Sequence, residues 1–121
     1  MLIIEDELPA AKRLISLINE VDHNLTVIGQ LDSVEQAGAC FRENNMPEVV
    51  VLDIQLADRQ SFNIFEQVKI TAPIIFTTAY DEYALEAFKV NSIDYLLKPI
   101  QEEGLKKSLE KLNVLRKTDY A

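Results

Sequence analysis

Cysteine and histidine each occur only once in this chain of 121 residues, as Cys40 and His23. One cysteine cannot form an internal disulfide, which fits a reducing compartment such as the cytoplasm. A zinc site built from several Cys and His ligands is also excluded. We expect Cys40 to pack within a helix and His23 to lie exposed beside a turn.

Long apolar runs and an excess of basic residues are missing as well. No stretch approaches the roughly 20 apolar residues that span a bilayer, and the first residues lack the pattern of a secretory signal. Lys and Arg number 12 against 20 Asp and Glu, for a formal net charge of −8. Because nucleic-acid binding depends on cations that neutralise phosphates, we do not expect this segment to bind DNA by itself. The composition predicts a cytoplasmic domain without a membrane partner.

Short apolar runs alternate with amphipathic stretches along the whole chain. The runs are short, and several are rich in Val and Ile, as in strands that are buried on both faces. Apolar residues between them recur at helical spacing. The apolar runs cover residues 2–4, 25–28, 49–52, 74–76 and 93–97. This order predicts an α/β fold with one domain, a doubly wound five-stranded parallel sheet and helices on both faces.

Capping residues mark where the predicted helices begin. Pro9 suits the first turn of the first helix, where its missing N–H is not needed. Ser33 and Gln36 have the spacing of a capping box and should begin the second helix. Caps for the third and fourth helices are expected at Asp58 or Ser61, and at Asp81.

Chemically active side chains follow four of the predicted strands. Glu5 and Asp6 follow the first strand, Asp53 the third, Thr78 the fourth and Lys98 the fifth. In an open α/β sheet, ligands bind at the carboxyl ends of the strands. Each residue alone has an ordinary explanation as a cap, a loop residue or a strand residue. Their coincidence at one edge of the sheet favours a functional site.

Three of these side chains are acidic, and their proximity carries an electrostatic cost. Two carboxylates about 4 Å apart repel by about 4 kcal/mol at an effective dielectric constant near 20. Gathering Glu5, Asp6 and Asp53 should therefore destabilise the fold unless a cation lies among them. Mg²⁺ fits best, because it binds one or two carboxylates, keeps several waters and takes its remaining ligands from phosphate.

The ordered set of strand-end residues resembles the response-regulator receiver domain across essentially the whole chain. The stretch TAYDEYALEAFKVNSIDYLLKP, residues 78–99, resembles the receivers of the LytTR class, whose DNA-binding domain follows the receiver. The resemblance implies a flavodoxin-like, CheY-like receiver over residues 1–121. It also implies that a LytTR DNA-binding effector domain lies beyond the end of this chain, and that DNA is bound only through that domain.

The resemblance implies a role for each matching residue. Asp53 would take a phosphoryl group from a sensor histidine kinase. Asp6, Asp53 and the backbone carbonyl of Gln55 would bind Mg²⁺, with Glu5 assisting directly or through water. Thr78 and Lys98 would contact the phosphoryl oxygens.

The resemblance also implies how phosphorylation becomes an output. Thr78 would move to the phosphoryl group, and Tyr95 would turn inward as an aromatic switch. The face formed by the fourth helix, the fifth strand and the fifth helix would then change and promote a homodimer that controls transcription. Gln55 and Tyr80 would border the path of the hydrolytic water.

The chain departs from the family pattern in two places. The loop after Asp53 reads IQLADRQSF and lacks the Pro and Gly that many receivers carry there. Glu5 stands where an Asp is often found, which preserves the charge on a longer side chain.

Two other functions remain open at this stage. A metal-dependent phosphatase on a related α/β fold would also use Asp53 as a nucleophile, but such enzymes usually add a second acid, and Gln55 occupies that position. A receiver that is no longer phosphorylated could serve as an interaction module. We favour a signalling domain that catalyses its own phosphorylation and dephosphorylation and is not otherwise an enzyme.

Overall fold

The structure is a computed structural model of the chain, and it describes residues 1–22, 25–56, 58, 61–79 and 92–119. Predictions made for His23, for Tyr80 and for a fourth helix capped by Asp81 lie outside these residues.

Five parallel strands form one sheet in the order β2-β1-β3-β4-β5. This order reverses direction beside β1, as in doubly wound folds. The strands are β1 (Leu2–Ile4), β2 (Gly29–Leu31), β3 (Val50–Asp53), β4 (Ile74–Thr78) and β5 (Ser92–Leu97). The predicted fold class is confirmed.

Helices connect the strands and cover the sheet. They are α1 (Leu8–Val21), α2 (Val34–Glu43), α3 (Ile64–Gln67) after a 3₁₀ turn at Ser61–Asn63, and a C-terminal helix (Glu102–Asp119). No helix in the described part of the chain combines the length and the apolar character that a bilayer span requires.

Alternate residues of the inner strands build two separate cores. In β1, Leu2 and Ile4 pack with residues of α2 and α3, whereas Ile3 packs with residues of α1 and the C-terminal helix. β3 divides in the same way, with Leu52 on the first face and Val51 on the second. All five side chains are buried. Successive side chains of a strand point to opposite faces, so helices on both sides bury the whole run.

The predicted position of β2 was wrong. The apolar run at residues 25–28 lies before the strand, and Ile28 is 65% exposed. The run still lies beside the start of β1, because Met1 donates to the Thr26 carbonyl at 2.8 Å and accepts from the Ile28 amide at 2.9 Å. β2 itself is an edge strand with half-buried residues. Such a strand needs no continuous apolar run.

The predicted position of Pro9 in α1 and the predicted N-cap of α2 are confirmed, whereas the predicted cap of α3 was wrong. Pro9 lies in the first turn of α1, and the Ser33 hydroxyl accepts from the Gln36 amide at 3.0 Å. α3 is a single turn whose N-cap is Asn63. Asp58 lies farther from that turn along the chain, and its carboxylate accepts amide hydrogens of α2 instead. Ser61 begins the 3₁₀ turn and caps no helix among the described residues.

Asp94 joins β5 to the C-terminal helix. One carboxylate oxygen accepts from the hydroxyl of Ser108, which is fully buried. The other oxygen accepts from the Lys111 ammonium at 3.2 Å and from the Tyr95 amide at 2.9 Å. The helix is therefore fixed to the strand directly beside Tyr95.

The two contacts of Asp94 should differ in their contribution to stability. Ser108→Ala should lower the free energy of unfolding by about 1–3 kcal/mol, because it leaves a half-buried carboxylate oxygen without its donor. The Lys111 side chain is 58% exposed, so Lys111→Ala should change the free energy of unfolding by less than about 0.5 kcal/mol. Urea denaturation of both variants measures the difference. Equal losses would contradict this assignment.

Candidate functional site

The carboxyl ends of β1 and β3 bring three acidic side chains together. One carboxylate oxygen from each of Glu5, Asp6 and Asp53 lies within 4.8 Å of the others. Glu5 and Asp53 are buried and Asp6 is half-buried. The expected proximity of the three acids is confirmed.

Lys98 directly follows β5, on the far side of β4, and its side chain contacts two of these acids. Its ammonium donates to Asp53 Oδ2 at 2.9 Å and forms an ion pair with Glu5 Oε1. The Lys98 amide donates to the Thr78 carbonyl at 2.7 Å, which fixes the end of β5 beside β4. The Lys98–Pro99 peptide bond is cis. The lysine therefore supplies part of the positive charge that these acids require.

The charges at this site shift the pKa values of its members. Burial raises the pKa of Glu5, and the neighbouring Asp53 carboxyl raises it further, against the opposite effect of Lys98. Burial and then the nearby Glu5 carboxyl raise the pKa of Asp6. Burial lowers the pKa of Lys98, but the Glu5 and Asp53 carboxylates outweigh it, so that this pKa is raised overall. Glu5 and Asp6 thus hold a proton more readily than usual, and the Lys98 ammonium is firmly charged.

Hydrogen bonds to the backbone fix the two strand ends. The Gln30 side-chain Nε2 donates to the Glu5 carbonyl at 2.7 Å, and the Glu5 backbone amide donates to the Leu31 carbonyl at 2.8 Å. The Ile54 amide donates to the Thr77 carbonyl at 3.0 Å. Sequence analysis missed Gln30, since its contact with Glu5 depends on the pairing of β2 with β1. No local pattern in the sequence signals that pairing.

The other predicted site residues lie after β3, at the end of β4 and in β5. The Gln55 amide donates to Asp53 Oδ1 at 3.3 Å, and its side chain is exposed. Thr78, at the end of β4, is fully buried. Tyr95 pairs with Phe76 in the sheet, and its half-buried ring packs against the core that contains Phe76. Because Phe76 and Thr78 are two residues apart in β4, Thr78 and Tyr95 lie on the same face.

An apolar cavity of about 320 Å³ borders the site on the side of α1. Its wall includes Ile3, Leu14 and Val51 together with parts of Glu5 and Lys98. The mostly apolar lining makes the surroundings less polar on one side of both charged groups, which is consistent with the effect of burial on their pKa values.

The acidic cluster suits a hard divalent cation. Three carboxylates against one ammonium leave two negative charges uncompensated among these four residues. All candidate ligand atoms are oxygens, which Mg²⁺ prefers to nitrogen or sulfur.

Comparison with known proteins agrees with this geometry. The family model for the response regulator receiver domain matches residues 1–110 of this chain. The sensory transduction protein LytT of Bacillus anthracis is 41% identical over 114 residues, which are 92% of this chain and 46% of that protein. The transcriptional regulatory protein BtsR of Salmonella typhimurium is 36% identical over 118 residues, which are 93% of this chain and 47% of that protein.

Solved structures show the same fold. The response regulatory domain of protein mrkE from Klebsiella pneumoniae superposes with a TM-score of 0.82 at 30% identity, covering 98% of this chain and 99% of that one. The chain spans about half the length of the curated relatives it matches. With strand order, family match and relatives in agreement, the chain belongs to the response regulator receiver domains of two-component systems.

Proposed function

We propose that the chain takes a phosphoryl group onto Asp53 from a sensor histidine kinase. The observation that carries this proposal is the buried Asp53 carboxylate, held between two further acids and the Lys98 ammonium at the carboxyl edge of the sheet. A nucleophile for phosphoryl transfer needs positioning and charge neutralisation more than covalent assistance. This site supplies both.

In the transfer, an Asp53 carboxylate oxygen attacks the phosphorus and forms an O–P bond. The P–N bond to the kinase histidine breaks, and its electron pair stays on the imidazole nitrogen. The product is an acyl phosphate. Lys98, which already contacts Asp53, then faces the phosphoryl oxygens as a compact counter-charge. Thr78 donates its hydroxyl to another phosphoryl oxygen.

Mg²⁺ would be held by Asp6, Asp53 and the backbone carbonyl of Gln55, with Glu5 assisting. The all-oxygen donor set and the two uncompensated charges support this assignment. When bound, the ion neutralises charge on the transferring group. Glu5 and Asp53 share the Lys98 ammonium.

Thr78 and Tyr95 would pass the change at Asp53 to the face formed by the predicted fourth helix, β5 and the C-terminal helix. We call this face the output surface. A Thr78 hydroxyl drawn toward the phosphoryl group leaves space on the face that it shares with Tyr95. The Tyr95 ring then turns inward and favours one state of a pre-existing equilibrium. Asp94 links this part of β5 to the C-terminal helix. A homodimer formed through this surface would control a LytTR DNA-binding domain outside this chain.

Replacement of the acceptor tests the proposed function. Incubation with Mg²⁺ and acetyl phosphate should add the mass of one phosphoryl group to the wild type and none to Asp53→Asn, because an amide oxygen is a poor nucleophile. Intact-mass spectrometry measures both. Unmodified wild type would favour an interaction module instead. Steady release of inorganic phosphate from small phosphomonoesters would favour a phosphatase.

Removal of one acid tests the electrostatic account. Asp6→Asn should raise the melting temperature of metal-free protein at pH 7 by about 2 °C, because a partly exposed like-charge contact is relieved. The folded pKa of Asp6 is raised above the ordinary 3.8. Ionised Asp6 therefore destabilises the fold above that folded pKa, and the effect is lost as the pH falls through it toward 3.8.

The increase in melting temperature caused by Asp6→Asn should become smaller in acid. With Mg²⁺ present, the wild type should have the higher melting temperature, since the ion stabilises the wild type more strongly. Scanning calorimetry measures these temperatures. Glu20→Gln, on the exposed side of α1, controls for the loss of one surface charge. A less stable Asp6→Asn protein in metal-free buffer at pH 7 would contradict the account.

Tyr95→Ala should separate phosphorylation from dimerisation. Acetyl phosphate should still modify this variant, because Tyr95 does not contact Asp53 in the proposed chemistry, but the phosphorylated protein should stay monomeric. Sedimentation analysis with and without acetyl phosphate measures the mass of the particle. A phosphorylated variant that dimerises as the wild type does would exclude the switch role.

A further inference from the structure

The carboxylate of Asp58 bridges the loop after β3 to the start of α2. Its Oδ1 accepts from the Val34 amide at 3.0 Å, and its Oδ2 accepts from the Glu35 amide at 3.4 Å. The partners lie 24 and 23 residues earlier in the chain. We infer that Asp58 is a positioning residue that holds this loop in the conformation required for Mg²⁺ binding. The inference rests on the proposed function.

The start of α2 is a strong anchor for a carboxylate. The first amides of a helix lack intrahelical partners, and the helix dipole places partial positive charge there. Ser33 occupies only the Gln36 amide. Asp58 accepts the two amides before it, with a charge of the favourable sign. These two hydrogen bonds, which we call the Asp58 tether, therefore join the loop after β3 to the start of α2, two segments that are far apart in sequence.

The loop is fixed at both of its ends and, through Asp58, near its middle. Ile54 is fully buried, and the Ser61 amide donates to its carbonyl at 2.7 Å. Leu56 is buried in the core on the side of α2 and α3. Exposed Gln55, the proposed source of a carbonyl ligand, lies between these two buried residues. Asp58 is the next polar anchor along the described part of the loop.

The sequence of the loop gives this tether its importance. Residues 54–62 contain neither Pro nor Gly, so no residue restricts the backbone as Pro does or permits a special turn as Gly does. Without the tether, the loop would gain conformational freedom, and metal binding would have to order it again. The cost would appear as weaker Mg²⁺ affinity.

A purely structural role as a second cap of α2 makes a different prediction. In that case, loss of Asp58 would lower stability and leave Mg²⁺ affinity unchanged. Ser33→Ala is the matched control, because it removes the other cap of the same helix end and does not touch the loop. Asp58→Asn is the control for charge, because its amide oxygen can still accept from Val34 as Asn does at N-caps.

The experiment measures Mg²⁺ affinity by titration calorimetry and melting temperature by circular dichroism for the wild type and the three variants. Asp58→Ala should weaken Mg²⁺ binding by about tenfold, a loss as large as the smaller ones that follow removal of a group supporting a metal ligand. Ser33→Ala should melt earlier but bind Mg²⁺ within about twofold of the wild type. Asp58→Asn should recover most of the affinity.

Three results would overturn the inference: wild-type affinity in Asp58→Ala, equal weakening in Ser33→Ala, or an Asp58→Asn protein as weak as Asp58→Ala. Phosphorylation by acetyl phosphate, followed by intact mass, separates this failure from that of the proposed function. If the wild type binds no Mg²⁺ and gains no phosphoryl group, the proposed function and the inference both fail. If the wild type does both and Asp58→Ala matches it, only the role of Asp58 fails.

Discussion

The crowding of negative charge at one edge of the sheet is the constraint on which the rest of the structure depends. Glu5, Asp6 and Asp53 are held together by strands whose positions are set by two apolar cores, so the acids cannot separate to relieve their repulsion. The Lys98 side chain extends across the end of β4 and forms ion pairs with Glu5 and Asp53. The stability of the sheet therefore supports a local arrangement that is unfavourable by itself until positive charge enters it.

The fold could be predicted where the pattern of burial is local. Strands β1, β3 and β4 are buried on both faces, so each appears as an apolar run in the sequence. β2 could not be located in this way because it is an edge strand, half-buried, and the apolar run before it lies beside Met1. Asp58 was expected, as an alternative to Ser61, to cap the nearest following helix. Its carboxylate accepts from α2 instead, and no local rule predicts a contact between residues 24 positions apart.

The site was more predictable than the details of the loops, because parallel strands deliver their carboxyl ends to one edge whatever their exact bounds. This rule brought Asp53, Glu5 and Lys98 together before any distance was known. It could not divide the compensating charge between a lysine and a metal ion, since that depends on how far the Lys98 side chain reaches. Nor could it find Gln30, whose side chain reaches the Glu5 carbonyl because β2 pairs with β1.

The ion pairs of Lys98 suggest why β5 would respond to phosphorylation. Lys98 is shared between Glu5 and Asp53 in the unphosphorylated protein. A phosphoryl group on Asp53 would replace one carboxylate charge with about two. The ammonium would then leave Glu5 for the phosphoryl oxygens, and Glu5 would depend on the metal ion for its counter-charge. Because Lys98 directly follows β5, and Asp94 fixes β5 to the C-terminal helix, the movement of a single cation would reach the output surface.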